Sequence, residues 1–280
     1  MNRSIISYGV CGAVMLFGFA ACSSSSGIGP GGADSTEVAA DSRQGAGEGA
    51  ASAIDQMNAS EALYGAQTDV VNGAVVPAPL TPLCTGPDGG GWYHCDAQLE
   101  NGVSITRSVR FWEGTDLGLW WNPGVTDSVN HQWTANGTIT SQARPGRSLT
   151  VDDSAVGTMS VLRVPAGGNA IVTPLHRWEG TAAQHRLATY VLNSVERVVT
   201  HTGSDTVSAL TFVPPRNQNP YPVSGSITVN ETVHFTAGNF DRTDVRRIVI
   251  TFDGTHIATL ADGGVTCQLD LDTKVVSGCQ

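Results

Sequence analysis

The chain has 280 residues, enough for one large all-β domain or two smaller ones, and its 25 Asp and Glu against 15 Lys and Arg give a formal net charge of -10. That balance excludes a nucleic-acid binder: phosphate contacts need a basic face, and no basic cluster is longer than Arg246-Arg247. Attachment to anionic lipid through charge is disfavoured for the same reason.

Read in chain order, residues 1–21 have the three parts of a signal peptide: Arg3 as a positive start, an apolar run from Ile5 to Phe19, and small Ala20-Ala21 before a cut. The run is too short for a spanning helix, and no later segment approaches the roughly 20 apolar residues that crossing a bilayer requires. Attachment to a membrane would therefore be covalent or through a partner.

The stretch Phe19-Ala20-Ala21-Cys22 resembles the lipobox of bacterial lipoproteins, with Phe19 where Leu is usual. The resemblance implies that Cys22 carries acyl chains and begins the mature protein. It also implies a lipid anchor in the bacterial cell envelope, at the outer membrane if the cell has one, since Ser23 rather than Asp follows the Cys. An ordinary signal peptide cut near Ala21, leaving Cys22 free, is the plain alternative.

Residues 22–49 are rich in Ser, Gly, Ala and Asp and nearly devoid of large apolar side chains, so they are expected to form a flexible tether with a reach on the order of 30 Å. The segment 50–83 should hold a short helix followed by a linker. Ile54, Met57, Leu63, Tyr64 and Val71 fall on one stripe at helical spacing, and Pro77, Pro79 and Pro82 forbid its continuation.

The remainder, 84–280, reads as an antiparallel β domain. Val103, Ile105, Val109 and Phe111 alternate with polar residues, the two-residue period of a half-buried strand. Similar alternation runs through Val129 to Ile139, Arg147 to Val151, Arg186 to Val195, Val207 to Val213, Ile227 to Phe235 and Ile248 to Phe252. No helical stripe separates these runs, so parallel crossovers are disfavoured. For QLENGVSI a three-residue loop pairing Leu99 with Val103 is preferred over a two-residue Asn101-Gly102 turn; an Asp253-Gly254 turn should pair Ile250 with Ile257; and the strand through Asn136-Gly137 should be continuous.

Beyond Cys11 and Cys22, an even set of cysteines remains: Cys84, Cys95, Cys267 and Cys279. Three pairings are open, and the sequence favours the two local ones. A fold about Gly89-Gly90 brings Cys84 opposite Cys95, and a fold about Asp272-Thr273-Lys274 sets Leu271 against Val275 and Cys267 against Cys279. A four-thiolate zinc site lacks the C-x2-C spacing, so no metal and no cofactor are expected.

Candidate binding residues are few. Trp112, Trp120 and Trp121 in RFWEGTDLGLWWNPG could form an aromatic platform for a sugar or lipid, or plug the core. The seven His are scattered singly and read as surface or satisfied residues; Asp152-Asp153 reads as a turn, and Asp270 with Asp272 as a solvated face. There is no G-x-S-x-G elbow, Walker loop or dinucleotide fingerprint. Glu113, Asp116 and Asp127 are the only carboxylates near the Trp cluster that could serve a glycosidase.

With its TFDGTHIATL hairpin and Cys-closed C-terminal turn, the β region also resembles bacterial lipoproteins that carry a long antiparallel meander after the leader. The expected fold is mainly β: a large curved antiparallel meander sheet or open β-barrel, with one short N-terminal helix against its concave side. The expected function is that of a non-catalytic envelope lipoprotein with a structural or surface-interaction role. A carrier of an apolar ligand such as a fatty acid is the first alternative, and a glycan-binding or glycan-hydrolysing protein the second.

Overall fold

The computed structural model describes residues 35–65, 68–71, 74–77 and 84–280, apart from 120, 123–124, 142–145 and 166–171. The expected signal peptide, Cys22, Trp120, Pro79 and Pro82 lie outside the described residues. Among those described, no helix is long and apolar enough to cross a membrane.

The chain begins with α1 (Ser35–Gly65), followed by a small two-stranded ladder of β1 (Thr68–Val71) and β2 (Ala74–Pro77). The main sheet then runs through β3 (Cys84–Thr85), β4 (Tyr93–Glu100), β5 (Val103–Glu113), β6 (Asp116–Gly118), β7 (Ser128–Thr140), β8 (Ser148–Pro165) and β9 (Val172–Leu192). It continues with β10 (Val195–Phe212), β11 (Ser224–Ala237), β12 (Phe240–Thr251), β13 (Ile257–Asp262), β14 (Val265–Asp270) and β15 (Val275–Ser277). All 13 strands pair antiparallel in chain order, except that β6 folds back on β5, and the sheet is open, with β3 and β15 at its two edges. This is the expected curved meander.

Strand alternation sets the two faces. In β5 the residues Val103, Ile105, Arg107, Val109 and Phe111 are buried, while Thr106 is exposed and Ser104, Ser108 and Arg110 are half-buried. The central strands are longer than their apolar runs predict: β8, β9 and β10 have 18, 21 and 18 residues. The run Arg186 to Val195 is not one strand, because Asn193 and Ser194 adopt positive φ (52° and 62°) and turn the chain from β9 into β10. The strand through Asn136-Gly137 is continuous within β7, as expected.

Three expected registers are corrected. QLENGVSI closes by the two-residue Asn101-Gly102 turn, so Leu99 faces Ser104 rather than Val103. An irregularity between Cys95 and Gln98 shifts β4 along β5, and Leu99 is 76% exposed, so no shared apolar face had to be preserved. In the second hairpin Ile250 pairs with Leu260, not Ile257. The Phe252 and Gly254 amides donate to the carbonyls of Gly225 and Pro222, which draws the start of the loop towards β11 and lengthens it. At the C-terminus Leu269 pairs with Val276 and Asp270 with Val275, one residue from the expected register. Gly278, at φ 64°, takes up the extra residue, so Thr266 and Gln280 exchange backbone hydrogen bonds and Cys267 still meets Cys279.

The largest correction concerns the N-terminal segment. The helix starts at Ser35, not near Ala50, and ends at Gly65, so residues 35–49 are not tether and Val71 belongs to β1. From Asp41 to Ala51 every residue is buried. The helix lies inside the curve of the sheet, and its small residues are what let it fit. A Cβ on Gly45 would fall 2.4 Å from the imidazole of His201, one on Gly47 2.7 Å from Val276 of β15, and one on Gly49 2.3 Å from the guanidinium of Arg186. Alternate glycines thus admit three different walls to the helix axis. Composition alone reads such a segment as disordered because it has few large apolar groups of its own.

The interior has three tiers. One apolar cluster surrounds Ala46, Ala50, Ile54 and Met57 and includes Phe111, Met159, Leu210, Phe212, Ile227, Ile248 and Leu260. A second gathers Val38, Leu149, Val151, Ala188, Tyr190, Val199, Val233 and Phe235. Between them runs a belt of inward polar side chains on adjacent strands: Asp153 on β8, Gln184 and Arg186 on β9, His201 and Asp205 on β10, and Glu231 on β11. The helix supplies the complementary groups. Ser42 donates to Glu231 at 2.5 Å, the Gly45 carbonyl accepts from Arg186 at 3.0 Å, and Arg43 pairs with Asp262 at 3.3 Å. Gln44 donates to the Lys274 carbonyl and accepts from the Val276 amide, satisfying the backbone of edge strand β15. Breaking any one buried ion pair leaves a charge uncompensated, at a cost of about 3–5 kcal/mol, so the belt fixes how far the helix is inserted and how it is rotated.

Candidate functional site

Both expected disulfides are present, Cys84–Cys95 and Cys267–Cys279. Each ties an outermost hairpin, β3 to β4 and the chain end to β14, where edge strands of two and three residues have few ladder bonds of their own. The first loop turns about Gly89-Gly90 as expected: the Gly91 amide donates to the Asp88 carbonyl, and Asp88 Oδ1 accepts from the amides of Gly90 and Trp92.

Of the expected aromatic platform, Trp112 and Trp121 are not brought together, and Trp120 lies outside the described residues. Trp121 is buried in the first core cluster, with its ring edge-on to His176 at 5.7 Å. Trp112 lies on the outer face, where the Arg110 guanidinium sits 4.9 Å from its ring and 4.6 Å from that of Trp92, an intramolecular cation–π sandwich that covers the ring face a ligand would use. Trp112 Nε1 also donates to Asn130 at 2.5 Å.

Of the candidate acids, Asp127 is engaged in structure. Asp127 accepts from Arg163 and from the Gly114 amide, both at 2.8 Å, and these bonds hold its carboxyl below the usual range. It is thus a poor proton donor. Glu113 and Asp116 are backbone partners across the tight β5–β6 turn. Asp270 accepts from the amides of Asp272 and Thr273, and Asp272 from the Tyr221 hydroxyl, so this pair shapes a turn. Asp152-Asp153 is not a turn: it lies mid-strand in β8, with Asp152 outward and Asp153 buried.

Of the histidines, His94, His185, His234 and His256 are exposed. His176 bonds Glu61 at 2.8 Å, and His201 bonds Glu231 at 3.0 Å through Nδ1 while its Nε2 is buried without a hydrogen-bond partner among the described residues. His131 is buried against Trp178, ring centroids 4.3 Å apart, and burial pushes its imidazole down to about 3. Glu61 joins His176, Trp178 and Arg216, each at 2.8 Å. Burial alone would raise its carboxyl, but these partners outweigh it and hold the carboxyl below its usual range. Among the described residues no cluster of His, Cys, Asp and Glu could hold a metal ion.

The cavity that could receive a ligand lies between α1 and the concave faces of β5, β7 and β8, with a volume of about 510 Å³. The helix approaches β10 to β13 and β15 closely and leaves this side open. The apolar wall consists of Val103, Ile105, Trp133, Ala135, Leu149 and Val151. Val103, Ile105 and Ala135 form a small cluster of their own, separate from the main core. Four carboxylates also line the cavity, each in an ion pair: Glu48 with Arg147 at 3.1 Å, Asp153 with Arg186 at 2.8 Å, Asp55 with Lys274 at 2.7 Å, and Glu100 with Arg107 at 3.6 Å. Glu48 additionally accepts from Ser141 at 2.8 Å.

None of these carboxylates was assigned to a site from the sequence. Glu48 lay in the expected tether and Asp153 in an expected turn, and no local motif links them; only the inward phase of Asp153 with Val151 offered a signal. Comparison of the chain with protein-family models, curated proteins and solved structures gives no match, so the site is read from its geometry.

Proposed function

We propose that the protein is an exported lipoprotein of the bacterial cell envelope, anchored through acyl chains on Cys22, whose β domain has a structural or surface-interaction role and no catalytic one. The observation that carries this reading is the pair of disulfides at the two edges of the sheet, because such bonds form and persist in oxidising compartments. It accords with the lipobox-like Phe19-Ala20-Ala21-Cys22. With the helix beginning at Ser35, the chain between Cys22 and the folded domain is short, spanning at most about 45 Å when fully extended. The domain would then stand close to the lipid surface. A carrier that engulfs a purely apolar ligand is less well supported, since α1 occupies the interior of the sheet and four ion pairs line the space it leaves open.

The test is the intact mass of the protein purified from the membrane fraction of a bacterium expressing the whole chain. The expected mass is that of a chain starting at Cys22 and carrying acyl groups, and Cys22→Ser should move the domain to the soluble fraction. Recovery of the uncut precursor from the cytosol, with Cys84, Cys95, Cys267 and Cys279 as free thiols, would overturn the reading.

A further inference from the structure

We infer that the cavity between α1 and β5, β7 and β8 binds a small neutral amphiphile: an apolar body against the aliphatic wall and a hydroxyl-rich head among the carboxylates. This does not rest on membrane anchorage. The wall of Val103, Ile105, Ala135, Leu149, Val151 and Trp133 requires an apolar body, and about 510 Å³ is within the range of small-molecule sites.

The head group follows from how charge is arranged. Each lining carboxylate, Glu48, Asp55, Glu100 and Asp153, already has its own Arg or Lys, so the site has no charge left to neutralise. It does have hydrogen-bonding capacity left. Ser52, Asn101 and Thr140 line it with hydroxyl and amide groups, and none of the three is buried. These neutral groups match the hydroxyls of a head group, which donate and accept at once. A carboxylate head would face four carboxylates with no spare cation; an ammonium head would find every carboxylate already paired.

Four probes separate these chemistries: octyl glucoside below its micelle concentration, octanoate, octyltrimethylammonium and free glucose, each titrated calorimetrically into the oxidised domain. Octyl glucoside is expected to bind one per chain, at least tenfold more tightly than the other three, and to change the emission of Trp133, identified by its loss in Trp133→Phe. Ser52→Phe on the helix and, from the opposite wall, Thr140→Trp should each fill the cavity and weaken binding at least tenfold, with folding checked by circular dichroism. Equal binding of either charged probe, equal binding of glucose, no binding of octyl glucoside, or binding unaffected in a folded blocking variant would overturn the inference.

Discussion

Replacing Gly45 with Ala places a methyl group 2.4 Å from Cε1 of His201, well inside contact distance. The ring has little room to yield, because it is 1% exposed and holds Glu231 at 3.0 Å. On an isolated helix the same change stabilises by about 1 kcal/mol. Here it must displace the imidazole, losing a hydrogen bond to a charged group worth about 1.5–3 kcal/mol and forcing a rotamer at about 0.5–1.5 kcal/mol. The expected net effect is a destabilisation of about 1–3 kcal/mol, read as a lower urea midpoint at unchanged slope. In a His201→Ala background the methyl has space, so Gly45→Ala should there stabilise by about 1 kcal/mol. A stabilising effect in the wild-type background, or the same effect in both, would refute the close packing of α1 inside the sheet. A tether at this position predicts no effect in either.

Asp205 gives a pH signature. Burial pushes its carboxyl up to about 7, so between roughly pH 4 and 7 the folded state holds a proton the unfolded state has lost. Stability from this group therefore falls as pH rises through that window, by an amount of about 4 kcal/mol. Asp205→Asn, which keeps an acceptor for Gln184, should match wild type near pH 4 and exceed it at pH 8; parallel curves at all pH values would contradict this. Cys267→Ser with Cys279→Ser should cost about 3 kcal/mol for a closed loop of this length, measured by urea titration under oxidising conditions.

Much of the sheet was legible because β5, β7 and β11 alternate apolar and polar residues along a half-buried surface. The strands at its centre were not, because their inward positions include Asp153, Gly157, Gln184, Arg186, His201, Gly203 and Asp205, which break the apolar signal while remaining on the inner face. The same polar belt hid the helix. Its partners are charges on strands far away in sequence, so Ser42, Arg43, Gln44 and Glu48 read as solvated when taken alone. The local disulfides were legible because each depends on a single hairpin, and a one-residue error in register at the C-terminus was absorbed at Gly278. The cavity was illegible for the opposite reason: its wall comes from β5, β7 and β8, its roof from α1, and Lys274 from the far edge of the sheet.

An open sheet offers two free flanks to any neighbouring chain that can align with them. Here both rims are sewn by covalent bonds, and one of them is also gripped from inside by Gln44. Reduction is therefore expected to loosen the rims first: the short strands β3 and β15 can peel away while the centre of the sheet persists, leaving more of the flanks of β4 and β14 open to a neighbouring chain.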